Sequence, residues 1–346
     1  MSLISYLTRV HFADNALEDA LPSEIARHGI RRLLVLSDDE ATGPDELNRL
    51  FDALPSSVTP VSFVADSSAN YADACCRADA VLAEANCDAL IGFGGTRAVD
   101  LARLIGGADH PVLTIPTRTG TIGLGPVSVP VTDLPRRQAA IPVAILCDAT
   151  LTLNAGPEAT AAAGMDTLVH CLESYLGTTF NPPADGIALD GLRRTALHIE
   201  AAVQDGKDIT ARRELLAAAL NAGLAAEKGS GGIEAAAKGL ETAVHVRHGV
   251  LHGAMLAEVL MFNAPAIADR FEMPRKALDL PPNADIAEHL ASLAERIGLP
   301  RNLSHQGIEA HHLPRAARQA AADPANHTNP RLATAADYER MMRASL

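Results

Sequence analysis

Five short apolar runs are spaced through the first part of the chain: LLVLS (33–37), PVSFVA (60–65), ALIGFG (89–94), PVLTIP (111–116) and PVAILC (142–147). Each is rich in branched apolar residues and bounded by turn or polar residues, the mark of a buried strand. Helical patterns at 71–85 and 97–105 separate several of them. Strands joined by helices must run mostly parallel, so this region is expected to form a doubly wound α/β sheet. After about Asp148 the strand signal stops. Ala-rich helical patterns follow at 158–176, 185–203, 209–227, 233–246 and 252–267, and again near 286–297, 305–322 and 335–344. Pro and Gly mark the junctions, at 182–183, 229–232, 281–282 and 300. The fold class expected is therefore α/β, with an N-terminal doubly wound, mostly parallel sheet domain (1–150) and a C-terminal all-α domain (151–346). A ligand cleft is expected between them.

Charge limits the partners. The net charge of −13 argues against nucleic acid or an anionic membrane, although a local basic site can still receive a small anionic substrate. The N-terminal MSLISYLTRVHF has no basic start followed by a long apolar run, and no apolar run is read as long enough to span a bilayer. The five cysteines have neither zinc-ribbon nor C-x-x-C spacing, which suits reduced thiols. The expectation is a soluble, cytoplasmic protein.

The chemistry concentrates in DATLTLNAGPEATAAAGMDTLVHCLESYLG, residues 148–177. Asp166 and His170 lie four apart in a helical run, so a carboxylate and an imidazole share one face and can bind one divalent cation. Around them stand Asp148, Leu151, Thr152, Pro157, Gly164, Met165, Leu168 and Glu173. Further segments are GGTRAVDLAR (94–103), IPTRTGT (115–121), HGVLH (248–252), FNAPA (262–266) and NPR (329–331). Together these resemble the iron-containing (group III) alcohol dehydrogenase family, and within it the shorter maleylacetate reductase branch. The resemblance covers nearly the whole chain. It implies the dehydroquinate synthase-like, group III alcohol dehydrogenase fold, a divalent metal such as zinc or iron, NAD or NADP, and a homodimer.

Residue by residue, the resemblance places the metal on Asp166, His170 and His248, with Asn263 fifteen residues beyond His248. Fourteen residues before His248, where the family has histidine, stands Glu234, and the family's second histidine is Lys238. A carboxylate at 234 still completes a set suited to zinc or iron. The competing reading is an i,i+4 ion pair between Glu234 and Lys238 with no metal nearby, and His245 is a rival for the fourth position. His252 is expected to contact substrate or move a proton. His327 stands in a segment that in the family closes over the cleft.

In the cofactor half, Gly94, Gly95, Thr96, Arg97 and Asp100 correspond to a glycine-rich phosphate turn in which the third Gly has become Thr96 and the Ser has become Arg97. Arg97 either blocks the phosphate position or binds phosphate through its guanidinium fork. Thr117, Arg118 and Thr121 belong to the second cofactor loop, and Asp38 stands where a family acidic residue engages the adenosine ribose. The leading expectation is a metal-assisted NAD(P) oxidoreductase acting on a small carboxylated ketone or hydroxy acid. The alternatives are a metal-dependent hydrolase or lyase that no longer uses the dinucleotide, and a non-catalytic relative.

Overall fold

The computed structural model describes residues 8–66, 70–120, 122–125, 127, 138–244 and 246–346. The chain forms two compact units, one built on Ser5–Ala155 and the other on Gly156–Leu346.

The first unit runs β1 (Arg9–Phe12), α1 (Ala16–His28), β2 (Arg32–Asp38), α2 (Pro44–Asp52), β3 (Thr59–Ala65), α3 (Tyr71–Glu84), β4 (Ala89–Gly94), α4 (Thr96–Gly106), β5 (Val112–Pro116) and β6 (Ala144–Cys147). The strands form one sheet in the order β1-β6-β5-β4-β2-β3, with every pair parallel. The two-residue period of the strands sorts their side chains between two cores. Leu33, Val35, Ile91, Phe93, Leu113 and Ile115 pack with Leu17, Leu21 and Ile25 of α1 and Leu50 of α2. Leu34, Leu36, Leu90 and Val112 pack instead with Ala74, Ala78 and Leu82 of α3 and Leu101, Leu104 and Ile105 of α4. Covered on both faces, the central strands have no polar side, hence their continuous apolar sequence. Pro60 sits in β3, an edge strand, where proline is tolerated.

The first strand, β1, was not among the five runs, because RVHF lies at an edge and is only partly buried. It is tied to α1 through Glu24, a buried carboxylate that accepts from Arg9 Nε at 3.1 Å and lies 2.9 Å from His11 Nε2. The hydrogen bond from Arg9 is the main reason the Glu24 carboxyl titrates as low as about 2.

The second unit contains α5 (Pro157–Leu176), α6 (Pro182–Gln204), α7 (Ile209–Ala225), α8 (Gly232–Glu241), α9 (His248–Ile267), α10 (Glu272–Ala277), α11 (Ile286–Arg296), α12 (Leu313–Ala322), α13 (Pro324–Thr328) and α14 (Ala335–Ala344). Helix α5 packs on α6, α7 and α9, and α9 also meets α8, α11 and α14. Small residues permit this closeness. A Cβ on Gly249 would lie 1.9 Å from the Ala162 carbonyl oxygen and 3.1 Å from the Asp166 nitrogen, so the first turn of α9 rests on the backbone of α5.

One expectation needs correction here. Helix α9 is, by length and composition, apolar enough to cross a membrane. Its composition has a local cause, since Leu251, Met255, Leu256 and Val259 are wholly enclosed in the core of this unit.

Candidate metal centre

Three helices supply the site, and their placement starts at the N-terminus of α8. The first amides of a helix lack intrahelical partners and carry partial positive charge. Here Glu173 of α5 accepts from the backbone nitrogens of Gly231 at 2.9 Å, Ile233 at 2.6 Å and Glu234 at 3.1 Å. Asn329 Oδ1 takes the Gly232 amide at 2.9 Å, and Asn329 and Asn263 exchange side-chain amide bonds at 2.8 Å each. Helix α8 is thereby fixed to α5, α9 and the segment after α13. Burial pushes the Glu173 carboxyl up to about 7 against the pull of these amides.

With α8 held, its first turn aims Glu234 at three histidines. Glu234 Oε2 lies 2.7 Å from His248 Nε2, 3.0 Å from His252 Nε2 and 3.8 Å from His170 Nε2. The other oxygen, Oε1, is 3.0 Å from Lys238 Nζ. On α5, His170 Nε2 is 3.3 Å from Asp166 Oδ1, and His252 Nδ1 of α9 approaches that same oxygen at 3.3 Å. His248 Nδ1 lies 2.6 Å from Glu241 Oε1, which anchors the ring with Nε2 facing Glu234.

These groups fit a divalent cation. Donor atoms of Asp166, His248 and His252 all lie within 4.8 Å of one another, as do those of His170, Glu234 and His248. Asp166 Oδ1 and His252 Nδ1 are buried without a hydrogen-bond partner. Two carboxylates and several imidazoles are the donors that zinc and ferrous iron take.

The electrostatics agree with ionised carboxylates. Burial opposes charge on Asp166, but His170, His252 and His248 outweigh it and hold the carboxyl at about 2. Glu234 is likewise held well below its ordinary value, burial being overcome chiefly by His248 and Lys238. His170 rises to about 8 and His248 well above the usual imidazole value, because nearby carboxylates outweigh their burial. His252 goes the other way: burial, reinforced by His248, lowers it to about 4.

The structure thus brings together Asp166, His170, Glu234 and His248, and adds His252. Glu234 and Lys238 form their i,i+4 ion pair, and Glu234 also stands within the donor cluster. His252 is 0% exposed, and its two ring nitrogens face Glu234 and Asp166. His327 is exposed on α13, and the polar contacts of the cluster run through other residues. His245 lies outside the described residues. Glu241 and Asn329 had no role in the sequence reading; the available signal for Glu241 was an acidic residue seven positions before His248.

In the first unit, the glycine-rich turn joins β4 to α4. Asp38 is buried, its Oδ1 accepting from the Ala41 amide at 2.6 Å and its Oδ2 from the Gly95 amide at 2.7 Å. Burial is the largest influence on it and raises its pKa. Its carboxylate holds the turn. Gly94 has φ +147°, and a Cβ there would meet Asp38 Oδ2 at 2.5 Å, so both conformation and space require glycine. Thr96 and Arg97 open α4, and the Arg97 guanidinium lies over the Tyr71 ring, 4.6 Å from its centroid. Arg118 donates to the carbonyls of Thr117 at 3.0 Å and Glu40 at 2.9 Å, and Thr117 Oγ1 donates to the Ala41 carbonyl at 2.5 Å. Asp100 pairs with Arg103 inside the fold at 3.3 Å. Thr121 lies outside the described residues.

Comparison with known proteins agrees with this architecture. Residues 160–346 match the C-terminal model of the Fe-containing alcohol dehydrogenase family, and residues 11–156 match an iron-containing alcohol dehydrogenase model. The chain is 34% identical to a 4-hydroxybutyrate dehydrogenase of Cupriavidus necator, with 100% of both chains covered. Among solved structures, the sulfoacetaldehyde reductase of Bifidobacterium kashiwanohense, in complex with NAD+, superimposes with a TM-score of 0.86 at 18% identity, covering 100% of this chain and 99% of that one. A maleylacetate reductase from a Rhizobium strain gives a TM-score of 0.82 at 21% identity, covering 99% and 97%.

Proposed function

The chain belongs to the iron-containing alcohol dehydrogenase family, and from that premise we propose that it is a metal-assisted, NAD(P)-dependent oxidoreductase of small carboxylated substrates, interconverting a hydroxy acid and its carbonyl form. A hydroxy acid of the 4-hydroxybutyrate type is the substrate favoured, on the strength of the full-length similarity to the Cupriavidus necator enzyme. The observation that carries the reading is the convergence of Asp166, His170, Glu234 and His248 within the segment matched by the family model. The hydrolase, lyase and non-catalytic alternatives have no counterpart among these relatives.

A divalent cation held at this cluster would supply Lewis acidity toward an alkoxide or carbonyl oxygen, and NAD(P), when bound, would supply the hydride acceptor or donor. The chain's own residues prepare this chemistry. Asp166 and Glu234 together offset a double positive charge, and Glu241 orients His248 so that Nε2 faces the centre. Lys238 engages the outer oxygen of Glu234, leaving Oε2 as the oxygen turned inward. Asp38 and Gly94 set the turn at the N-terminus of α4, whose amides suit a pyrophosphate.

The test is a steady-state assay of the zinc- or iron-loaded protein with NAD+ or NADP+, comparing 4-hydroxybutyrate with 1-propanol. Reduced nicotinamide should form with both alcohols, with the higher kcat/KM for the hydroxy acid. No turnover with either nucleotide would refute the oxidoreductase reading. A preference for propanol would refute the carboxylated substrate class alone.

A further inference from the structure

We infer that His252 is itself a metal ligand, binding through Nδ1 next to Asp166 Oδ1, while its Nε2–H is held by Glu234. The inference rests on the metal reading above and concerns a residue that the sequence pattern had cast as a proton carrier.

His252 stands one turn after His248 on α9 and is 0% exposed. Both ring nitrogens face carboxylates: Nε2 lies 3.0 Å from Glu234 Oε2, and Nδ1 lies 3.3 Å from Asp166 Oδ1. The two contacts differ in kind. The first has hydrogen-bond geometry, whereas Nδ1 and Asp166 Oδ1 are both buried and without a hydrogen-bond partner despite their proximity. An imidazole whose proton serves Nε2 turns a lone pair from Nδ1 toward the site. That lone pair then sits against the lone pairs of an anionic oxygen, away from water. Two such acceptors at this distance repel, and burying them unpaired is costly. A cation shared between them converts the repulsion into two bonds.

The surrounding groups support that placement. Asp166, His248 and His252 form one mutually close donor triad, and His170, Glu234 and His248 form another, with His248 common to both. Glu234, braced from outside by Lys238, holds the Nε2–H of His252 from the edge of the ring opposite Nδ1, so in this placement it orients a ligand and the cation lies among Asp166, His248 and His252. That triad offers two imidazole nitrogens and one carboxylate oxygen, a nitrogen-rich composition suited to zinc, cobalt or ferrous iron over magnesium.

The experiment is titration of the purified, chelator-treated chain with cobalt(II), followed by visible absorption, for the wild type, His252→Gln and His252→Asn. Glutamine reaches the Nε2 position and can keep the contact with Glu234 while removing the Nδ1 donor. Asparagine leaves an amide oxygen near the Nδ1 position. His252→Gln should shift the cobalt ligand-field bands and weaken cobalt binding by about 100-fold or more, the upper end of what an outer partner of a ligand costs. His252→Asn should lose less affinity and give a third, distinct spectrum. Wild-type bands in His252→Gln, with affinity kept within about tenfold, would overturn the inference. Should circular dichroism show that His252→Gln does not fold, wild-type bands in His252→Asn would overturn it instead. Failure of the wild type to take up cobalt or zinc would instead overturn the metal reading beneath it.

Discussion

Substituting Gly249 tests whether the contact between α5 and α9 sets the metal site. Alanine at this position would put its Cβ 1.9 Å from the Ala162 carbonyl oxygen and 2.7 Å from the carbonyl carbon, both backbone atoms that no rotamer change can move. A carbon–oxygen contact needs about 3.3 Å, so the first turn of α9 must retreat by roughly 3.3 − 1.9 = 1.4 Å. Overpacking of this kind costs about 1–3 kcal/mol, and relief of the glycine entropy penalty returns roughly 0.5–1 kcal/mol. The net loss expected is about 1–2 kcal/mol, or a fall of roughly 3–6 °C in Tm for a unit of this size. His248 is the neighbouring residue and Asp166 N lies 3.1 Å from the new atom, so the donors separate along with the helices. A misplacement near 1 Å is worth on the order of 100-fold in activity. The assays are calorimetric melting and zinc affinity by chelator competition. Gly186→Ala on α6 is the control: nothing lies within 4 Å of its added Cβ, so it should hold or raise Tm. A Gly249→Ala protein that melts with the wild type and binds zinc equally well would refute the argument from helix approach.

Three further outcomes are expected. Glu24, depressed from 4.5 to about 2 by Arg9 and His11, stabilises fully above its ordinary value, and that stabilisation is lost as pH falls from about 4.5 toward 2; in acid titrations followed by circular dichroism, the Tm gap between wild type and Glu24→Gln should close over this window, and a gap independent of pH would contradict it. Glu173→Ala leaves three backbone amides at the start of α8 without their acceptor, each worth about 1–3 kcal/mol when buried; urea unfolding should show a loss of about 3 kcal/mol or more with weaker zinc binding, and wild-type values for both would exclude the clamp. Asp38→Asn replaces one of the two oxygens that hold the glycine-rich turn, so NADH and NADPH titrations should show affinity lower by roughly tenfold, and unchanged or tighter binding would sink the idea that this carboxylate preorganises the turn.

Most of the architecture was legible because burial on two faces leaves a plain mark. All five apolar runs became strands, β2 to β6, since a central parallel strand has no polar side to blur the pattern. The edge strand β1 and the helices α1 and α2 lack a clear sequence mark: β1 is only partly buried, Pro22 interrupts the pattern of α1, and α2 has only Glu46 and Leu50 fully enclosed. In the helical unit the end of α8 was read too late and the start of α9 four residues too late. Alanine-rich stretches continue a helical pattern across a break without changing its period.

The site was legible in part. Helical spacing suffices to put Asp166 beside His170 and His248 near His252, because i and i+4 share a face whatever the tertiary fold. No spacing rule tells which carboxylate each ring nitrogen meets across three helices. Asp38 shows the same boundary: its place after β2 was plain in the sequence, but the backbone amides that occupy its carboxylate come from the folded turn.

The clamp at the start of α8 also has a consequence for synthesis of the chain. The residues of the first unit, Ser5–Ala155, are contiguous and leave the ribosome before Gly156–Leu346. The metal site differs, because Glu234 is positioned by an α8 whose first amides are held by Glu173 and Asn329. Between emergence of Asp166 and Asn329 pass 329 − 166 = 163 residues, which at about 5–20 residues per second takes on the order of 8–33 s. During that interval the nascent chain carries histidines and carboxylates able to bind metal but not yet fixed in relation to one another. Competence for metal therefore arrives late and nearly at once, when the segment bearing Asn329 docks.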